Sequence, residues 1–120
     1  MKTWAVVGLG NNPERAAFGV AKLLQDKGHR IIPVYPRAET VHGEVGYKTL
    51  SEIPGSIDVV DCFVNSTLVG KVVDEAIAIG AKAVWLQLDV IDNDAIARAQ
   101  AAGLITVMDR CPAIEYRKKS

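Results

Sequence analysis

The sequence predicts an α/β protein built on an open, doubly wound parallel sheet of five strands, in the order 3-2-1-4-5. Three observations point there. Short runs rich in Val, Ile and Leu alternate with stretches of helical periodicity. Each helical stretch is stopped by a glycine, at Gly28, Gly80 and Gly103, just ahead of the next apolar run. The first strand leaves through Gly8-Leu9-Gly10, where such a sheet makes its tight strand-to-helix turn.

The elements follow in order. Thr3 to Val7 reads as a buried strand. Asn12 to Lys27 reads as a helix, with Asn12 as N-cap and Pro13 at the first helical position, where its missing N–H costs nothing. Its apolar stripe is Ala17, Val20, Ala21 and Leu24. Arg30 to Val34 is the second strand. The second crossover, Tyr35 to Ser56, reads as a long loop with one turn of helix near Leu50 to Ile53. Ile57 to Phe63 is the third strand, although Asp58 and Asp61 interrupt its apolar run.

Ser66 or Thr67 is expected to cap a helix carrying Val69, Val72, Val73, Ala76 and Ile77. Ala83 to Leu86 is strand four. Asp94 to Ala102 is a helix capped by Asp92 or Asn93, and Leu104 to Met108 is strand five. Strands and helices that alternate in this way make right-handed βαβ units.

Residues 1–120 read as one domain, long enough to bury a core. Fourteen basic residues balance fourteen acidic ones, which argues against non-specific attraction to nucleic acid or an anionic membrane. The one run of like charge, Arg117-Lys118-Lys119, reads as a solvated tail. No apolar stretch approaches the roughly 20 residues that span a bilayer. Met1-Lys2-Thr3-Trp4 leads straight into a strand without the features of a signal peptide. Cys62 and Cys111 have no metal-ligand spacing, so a cytosolic protein with reduced thiols is expected.

In an open α/β sheet, ligands bind beyond the carboxyl ends of the strands, near the point where strand order reverses. That rule selects Gly8 to Asn12, Tyr35 to Arg37, Phe63 to Thr67, Gln87 to Asp89, and Asp109 to Cys111. The first segment is most informative. Gly8 permits a tight turn, Gly10 lets the backbone approach a ligand, and the amides from Asn11 onward stand where a helix start favours an anion. Pro13, in place of a third glycine, removes one donor.

The second segment bears on which ligand. A NAD-binding chain needs an acidic residue after strand two, yet that place holds Tyr35-Pro36-Arg37, and Glu39 lies further out in the loop. Arg37 suits an extra ribose phosphate, as in NADP or coenzyme A, and Tyr35 suits an adenine. Asn65 is free to face the crevice. No catalytic or metal constellation stands out. His29 reads as a surface residue, His42 as an exposed loop residue within reach of a ligand, and Cys62 as buried. Cys111 faces the ligand edge beside Arg110, although a small structural cysteine is the simpler reading. Trp4 and Trp85 are assigned to packing.

Four stretches, "VAKLLQDKGHRIIPVYPR", "VHGEVGYKTLSEIP", "VDEAIAIGAKAVWLQ" and "VMDRCPAIEY", together resemble the small single-domain CoA-binding protein family. That family is itself similar to the CoA-binding domain of the succinyl-CoA synthetase alpha subunit. The resemblance implies a Rossmann-like fold with a diphosphate over Gly8, Leu9, Gly10, Asn11 and Asn12. It also implies an ADP end near Tyr35, Pro36 and Arg37, with Phe63 to Asn65 lining the other side. Arg15 matches the family pattern. Gly10 stands where the family usually has Ser, Tyr35 where it has Asn, and Ala16, Ala17 and Gly19 where it often has Pro-Ser and Arg. The second synthetase domain with its phosphohistidine is not in this sequence, and ligase activity is not carried over.

The expectation is a cytosolic module for CoA or acyl-CoA without a catalytic centre of its own, acting as a homodimer or with a protein partner. An NADP-dependent enzyme or redox sensor is the alternative. A structural role with a vestigial crevice is the third reading.

Overall fold

A computed structural model describes residues 2–111. Its sheet holds β1 (Thr3–Val7), β2 (Arg30–Val34), β3 (Val59–Cys62), β4 (Ala83–Leu86) and β5 (Ile105–Val107). All neighbouring pairs are parallel. Three helices connect them: α1 (Ala16–Asp26), α2 (Ser66–Ala78) and α3 (Asn93–Ala101). A single 3₁₀ turn, Leu50–Glu52, sits in the long second crossover where the sequence places it. Gly28, Gly80 and Gly103 each follow a helix at positive φ and close it, as expected.

Alternation along the strands divides the core in two. Trp4, Val6, Ile31 and Val59 face α1, where they meet Ala17, Val20, Ala21 and Leu24. Ala5, Val7, Ile32, Val34, Val60, Cys62, Val84 and Leu86 face the other way, toward α2, α3 and the 3₁₀ turn. Full burial of a leucine such as Leu24 stabilises the fold by about 1.5–3 kcal/mol.

The sheet order is β2-β1-β3-β4-β5, not 3-2-1-4-5. The reason lies in the second crossover. Leu50, Ile53 and Ile57 pack on the α2 side of the sheet, and the Leu50 amide donates to Glu75 Oε1 of α2 at 2.7 Å. A crossover on the face opposite α1 stays right-handed only if it runs back past β1. β3 therefore docks on the free edge of β1, Trp4 opposite Val59 and Val7 opposite Cys62, and strand order reverses between β1 and β3.

Two helix starts also differ from the sequence reading. α1 begins at Ala16, not just after Asn12, because Asn12 Oδ1 accepts the Glu14 amide two residues on at 3.0 Å. That bond closes an Asx turn and holds Asn12 to Arg15 as a turn outside the helix. α2 is entered through Asn65, whose side chain does not cap it. The Ser66 hydroxyl instead accepts the Ile91 amide at 2.9 Å and donates to the Asp89 carbonyl at 3.3 Å, joining α2 to the loop after β4. Asp92 caps α3 as expected, its Oδ1 accepting the Ala95 amide at 3.0 Å. The Arg117-Lys118-Lys119 run and the last residues of the fourth matching stretch lie outside the described residues.

Candidate functional site

The carboxyl ends of β1, β2 and β3 converge on one corner, and the glycine turn stands at its centre. Gly8 adopts φ +98° and donates its amide to the Val34 carbonyl of β2 at 2.8 Å. On its other side Phe63 donates to the Val7 carbonyl at 2.8 Å. A Cβ on Gly8 would run into the main-chain carbonyl of Phe63. The turn is thus wedged between the two strands that flank β1, at the reversal of strand order. Such a switch point is where open sheets leave a crevice for a ligand.

The following residues divide by depth. Leu9 is fully buried in the α1-side core, so its side chain serves packing and only its main chain is left to the turn. Gly10 is half-buried; a Cβ there would lie 3.2 Å from Glu39 Oε1 and 3.3 Å from the Tyr35 ring. Asn11, Asn12 and Arg15 are exposed. Among the described residues the Gly10 and Asn12 main-chain amides have no hydrogen-bond partner.

The Asn11 amide does have one. It donates to Glu39 Oε1 at 2.5 Å. From the sequence Glu39 lies further out in the loop; in the structure its carboxylate returns to the glycine turn. The cause is local. Tyr35-Pro36-Arg37-Ala38 forms a tight turn with proline second, closed by the Ala38 amide on the Tyr35 carbonyl at 2.8 Å. Ala38 then adopts φ +51°, a strained conformation for a residue with a Cβ, and turns the chain back. Gly46 lies so close to the Glu39 carbonyl that no Cβ fits between them. In the sequence only Pro36 marks the turn; nothing in the residue types announces the reversal at Ala38.

The remaining segments contribute unequally. Tyr35 is half-buried beside Gly10, whereas Pro36 and Arg37 are exposed, and Arg37 has no ion-pair partner among the described residues. Phe63 is half-buried and packs on the α1-side core, and Asn65 is exposed at the start of α2. The segment after β4 is engaged elsewhere: Gln87 is buried and bonds to Asp61. Asp89 takes φ +66° and donates its amide to Asp109 Oδ1 at 2.7 Å, tying the loops after β4 and β5 together. Among the described residues, the non-glycine residues at positive φ, Ala38, His42, Asp89 and Asp109, lie in loops beyond strand carboxyl ends. Strained backbone of this kind gathers where a protein holds ligands.

The titratable side chains mostly serve the fold. His42 is half-buried, packs against Phe18 with tilted rings whose centroids are 4.3 Å apart, and places Nε2 2.8 Å from the Phe18 carbonyl, so it fastens the loop to α1. His29 lies against Trp4, and burial together with nearby Lys2 holds its pKa below the ordinary value. Burial and the neighbouring Asp61 push the Cys62 thiol far up. Cys111 packs, half-buried, on the α1-side core. Trp4 and Trp85 pack with ring centroids 5.7 Å apart, as their assignment to the core requires. Among the described residues no group of three His, Cys, Asp or Glu is placed to hold a metal ion, and no helix is long and apolar enough to cross a membrane.

Residues 2–117 match the CoA binding domain family. The chain is similar to YneT of Bacillus subtilis strain 168, 34% identical over 110 residues, spanning 92% of this chain and 82% of that one. It is also similar to the alpha subunit of an ADP-forming acetate–CoA ligase II of Pyrococcus furiosus, 35% identical over 81 residues. That match covers 67% of this chain but only 18% of the subunit. Among solved structures, a hypothetical protein of Pyrococcus horikoshii OT3 superposes with a TM-score of 0.93 at 40% identity, covering 98% of this chain and 82% of that one. The family match takes in all five strands, the glycine turn and the loops that flank it, and the chain therefore belongs to the CoA-binding domain family.

Proposed function

We propose that the chain binds coenzyme A or an acyl-CoA in the crevice beyond β1, β2 and β3. The diphosphate lies over Gly8 to Asn12, the adenosine and its 3′-phosphate near Tyr35, Pro36 and Arg37, and Phe63 to Asn65 flank the other side. One observation carries most weight: the Asn11 amide already holds a carboxylate oxygen at 2.5 Å. A main-chain donor that takes an anionic oxygen from Glu39 is fit to take one from a phosphate, since both are charge-assisted bonds. The amides of Gly10 and Asn12 extend the same cradle. The reading assigns these residues to binding and orientation and gives none of them a chemical step. A cytosolic homodimer is part of the same proposal.

Exposed Arg37 suits the 2′-phosphate of NADP as well as the 3′-phosphate of CoA, which keeps NADP as the second reading. Thermal melting with CoA, acetyl-CoA, NADP and NAD separates the two. A ligand at a hundred times its Kd adds about 2.7 kcal/mol, which is several degrees for a domain of this size. A rise with CoA or acetyl-CoA alone supports the proposal. A rise with NADP alone replaces it, and no rise with any of the four removes both.

A further inference from the structure

Glu39 occupies the position that the proposed ligand's phosphate needs. Its Oε1 accepts the Asn11 amide and stands over Gly10, with the Tyr35 ring beside it. We infer that Glu39 is a built-in competitor for the diphosphate cradle, an affinity-setting carboxylate that a phosphate-bearing ligand displaces from Asn11. The inference rests on the proposed diphosphate site and adds to it the residue that limits occupancy.

The loop fixes the main chain of Glu39 and leaves its side chain to move. Its carbonyl is pressed against Gly46, and the preceding turn is locked by the Ala38–Tyr35 hydrogen bond. Further along, Val41 and Glu44 exchange main-chain bonds at 2.9–3.0 Å, and His42 is fastened to Phe18. The carboxylate, by contrast, reaches the exposed Asn11 through a solvent-accessible bond. Rotation about the side-chain torsions moves the carboxylate into water, which satisfies it, without disturbing the loop. A diphosphate entering the cradle takes over the Asn11 amide. It also meets the negative charge of Glu39 at close range, so a ligand binds only as Glu39 swings away. An anion of higher charge and more oxygens wins this exchange more readily than a carboxylate does.

The test is isothermal titration of wild type, Glu39→Gln and Glu39→Ala with inorganic pyrophosphate and, separately, with CoA. Loss of the competing charge is expected to tighten both ligands by about tenfold in both variants, which corresponds to about 1.4 kcal/mol. Affinities equal to wild type, or weaker, overturn the inference; weaker binding would make Glu39 a ligand contact instead. Tightening in Glu39→Ala without Glu39→Gln also overturns it, since charge would then not be the cause. The two readings fail separately. If both variants take pyrophosphate more tightly but CoA binds no better than pyrophosphate, the competitor stands and the CoA proposal falls. If CoA binds all three proteins equally, the CoA proposal stands and the competitor falls. If neither ligand binds any of the proteins, both fall.

Discussion

The side-chain amide of Gln87 donates to Asp61 Oδ1 in the interior of the sheet, and the other carboxyl oxygen, Oδ2, is buried without a hydrogen-bond partner among the described residues. Both residues are buried. Loss of hydration raises the Asp61 pKa from 3.8 to about 8, against the smaller downward pull of the Gln87 bond. At neutral pH the folded protein therefore keeps a proton that the unfolded chain releases near pH 4. Stability from this group is full below that point and drains away as pH rises toward about 8, with a slope of about −1.4 kcal/mol per pH unit. Urea unfolding at a series of pH values, compared between wild type and Asp61→Asn, isolates the effect. The variant, which cannot ionise, is expected to lose that slope; a parallel pair of curves would show that Asp61 is charged in the folded state.

Gly8 makes the second expectation. Its φ of +98° and the Phe63 carbonyl against it leave no room for a methyl group. The obstacle is main chain, so relief requires β1 and β3 to separate. Gly8→Ala is expected to destabilise the protein by about 3 kcal/mol, combining backbone strain with overpacking. A urea midpoint within error of wild type would mean that the turn is more pliable than its contacts indicate.

Several features were legible in the sequence because they are local. β1, β2 and β4 have the bounds that the apolar runs predict, and the glycine stops after all three helices hold. What the sequence concealed depends on distant partners. Asp58 and Asp61 look like interruptions of a strand. Asp58 Oδ2 in fact accepts the Thr3 amide at 2.8 Å beside Lys82, which together hold its carboxyl below the ordinary range, and Asp61 is answered by Gln87 just after β4. Strand order hinged on which face receives Leu50, Ile53 and Ile57, and three apolar residues in a loop carry no mark of their face. In the candidate site the glycine turn was readable from residue type alone. Pro36 marks a turn after β2, but the return of Glu39 to Asn11 was not readable, because it follows from a turn closed by Ala38 and a positive φ that alanine rarely adopts.

Gly10 separates binding from folding. The atoms nearest its hypothetical Cβ belong to two side chains, Glu39 Oε1 at 3.2 Å and the Tyr35 ring at 3.3 Å, and side chains can yield where main chain cannot. Gly10→Val is expected to cost less than about 2 kcal/mol of stability while filling the space that a phosphate would enter. Urea unfolding and CoA titration on the same preparation check both halves. Normal CoA affinity in a folded Gly10→Val protein would move the diphosphate away from this turn.

Arg37 decides how the nucleotide end is recognised. It follows Pro36 in the turn after β2, is exposed, and has no ion-pair partner among the described residues, so its guanidinium is available to a phosphate at no cost to the fold. CoA and dephospho-CoA differ only in the 3′-phosphate. If Arg37 reads that group, Arg37→Ala weakens CoA by about tenfold, as loss of a charge-assisted contact does, and leaves dephospho-CoA nearly unchanged. Melting temperature without ligand should stay at the wild-type value, since the residue is exposed. Equal losses for both ligands would instead put Arg37 on the diphosphate, and no loss for either would leave the 3′-phosphate in solvent.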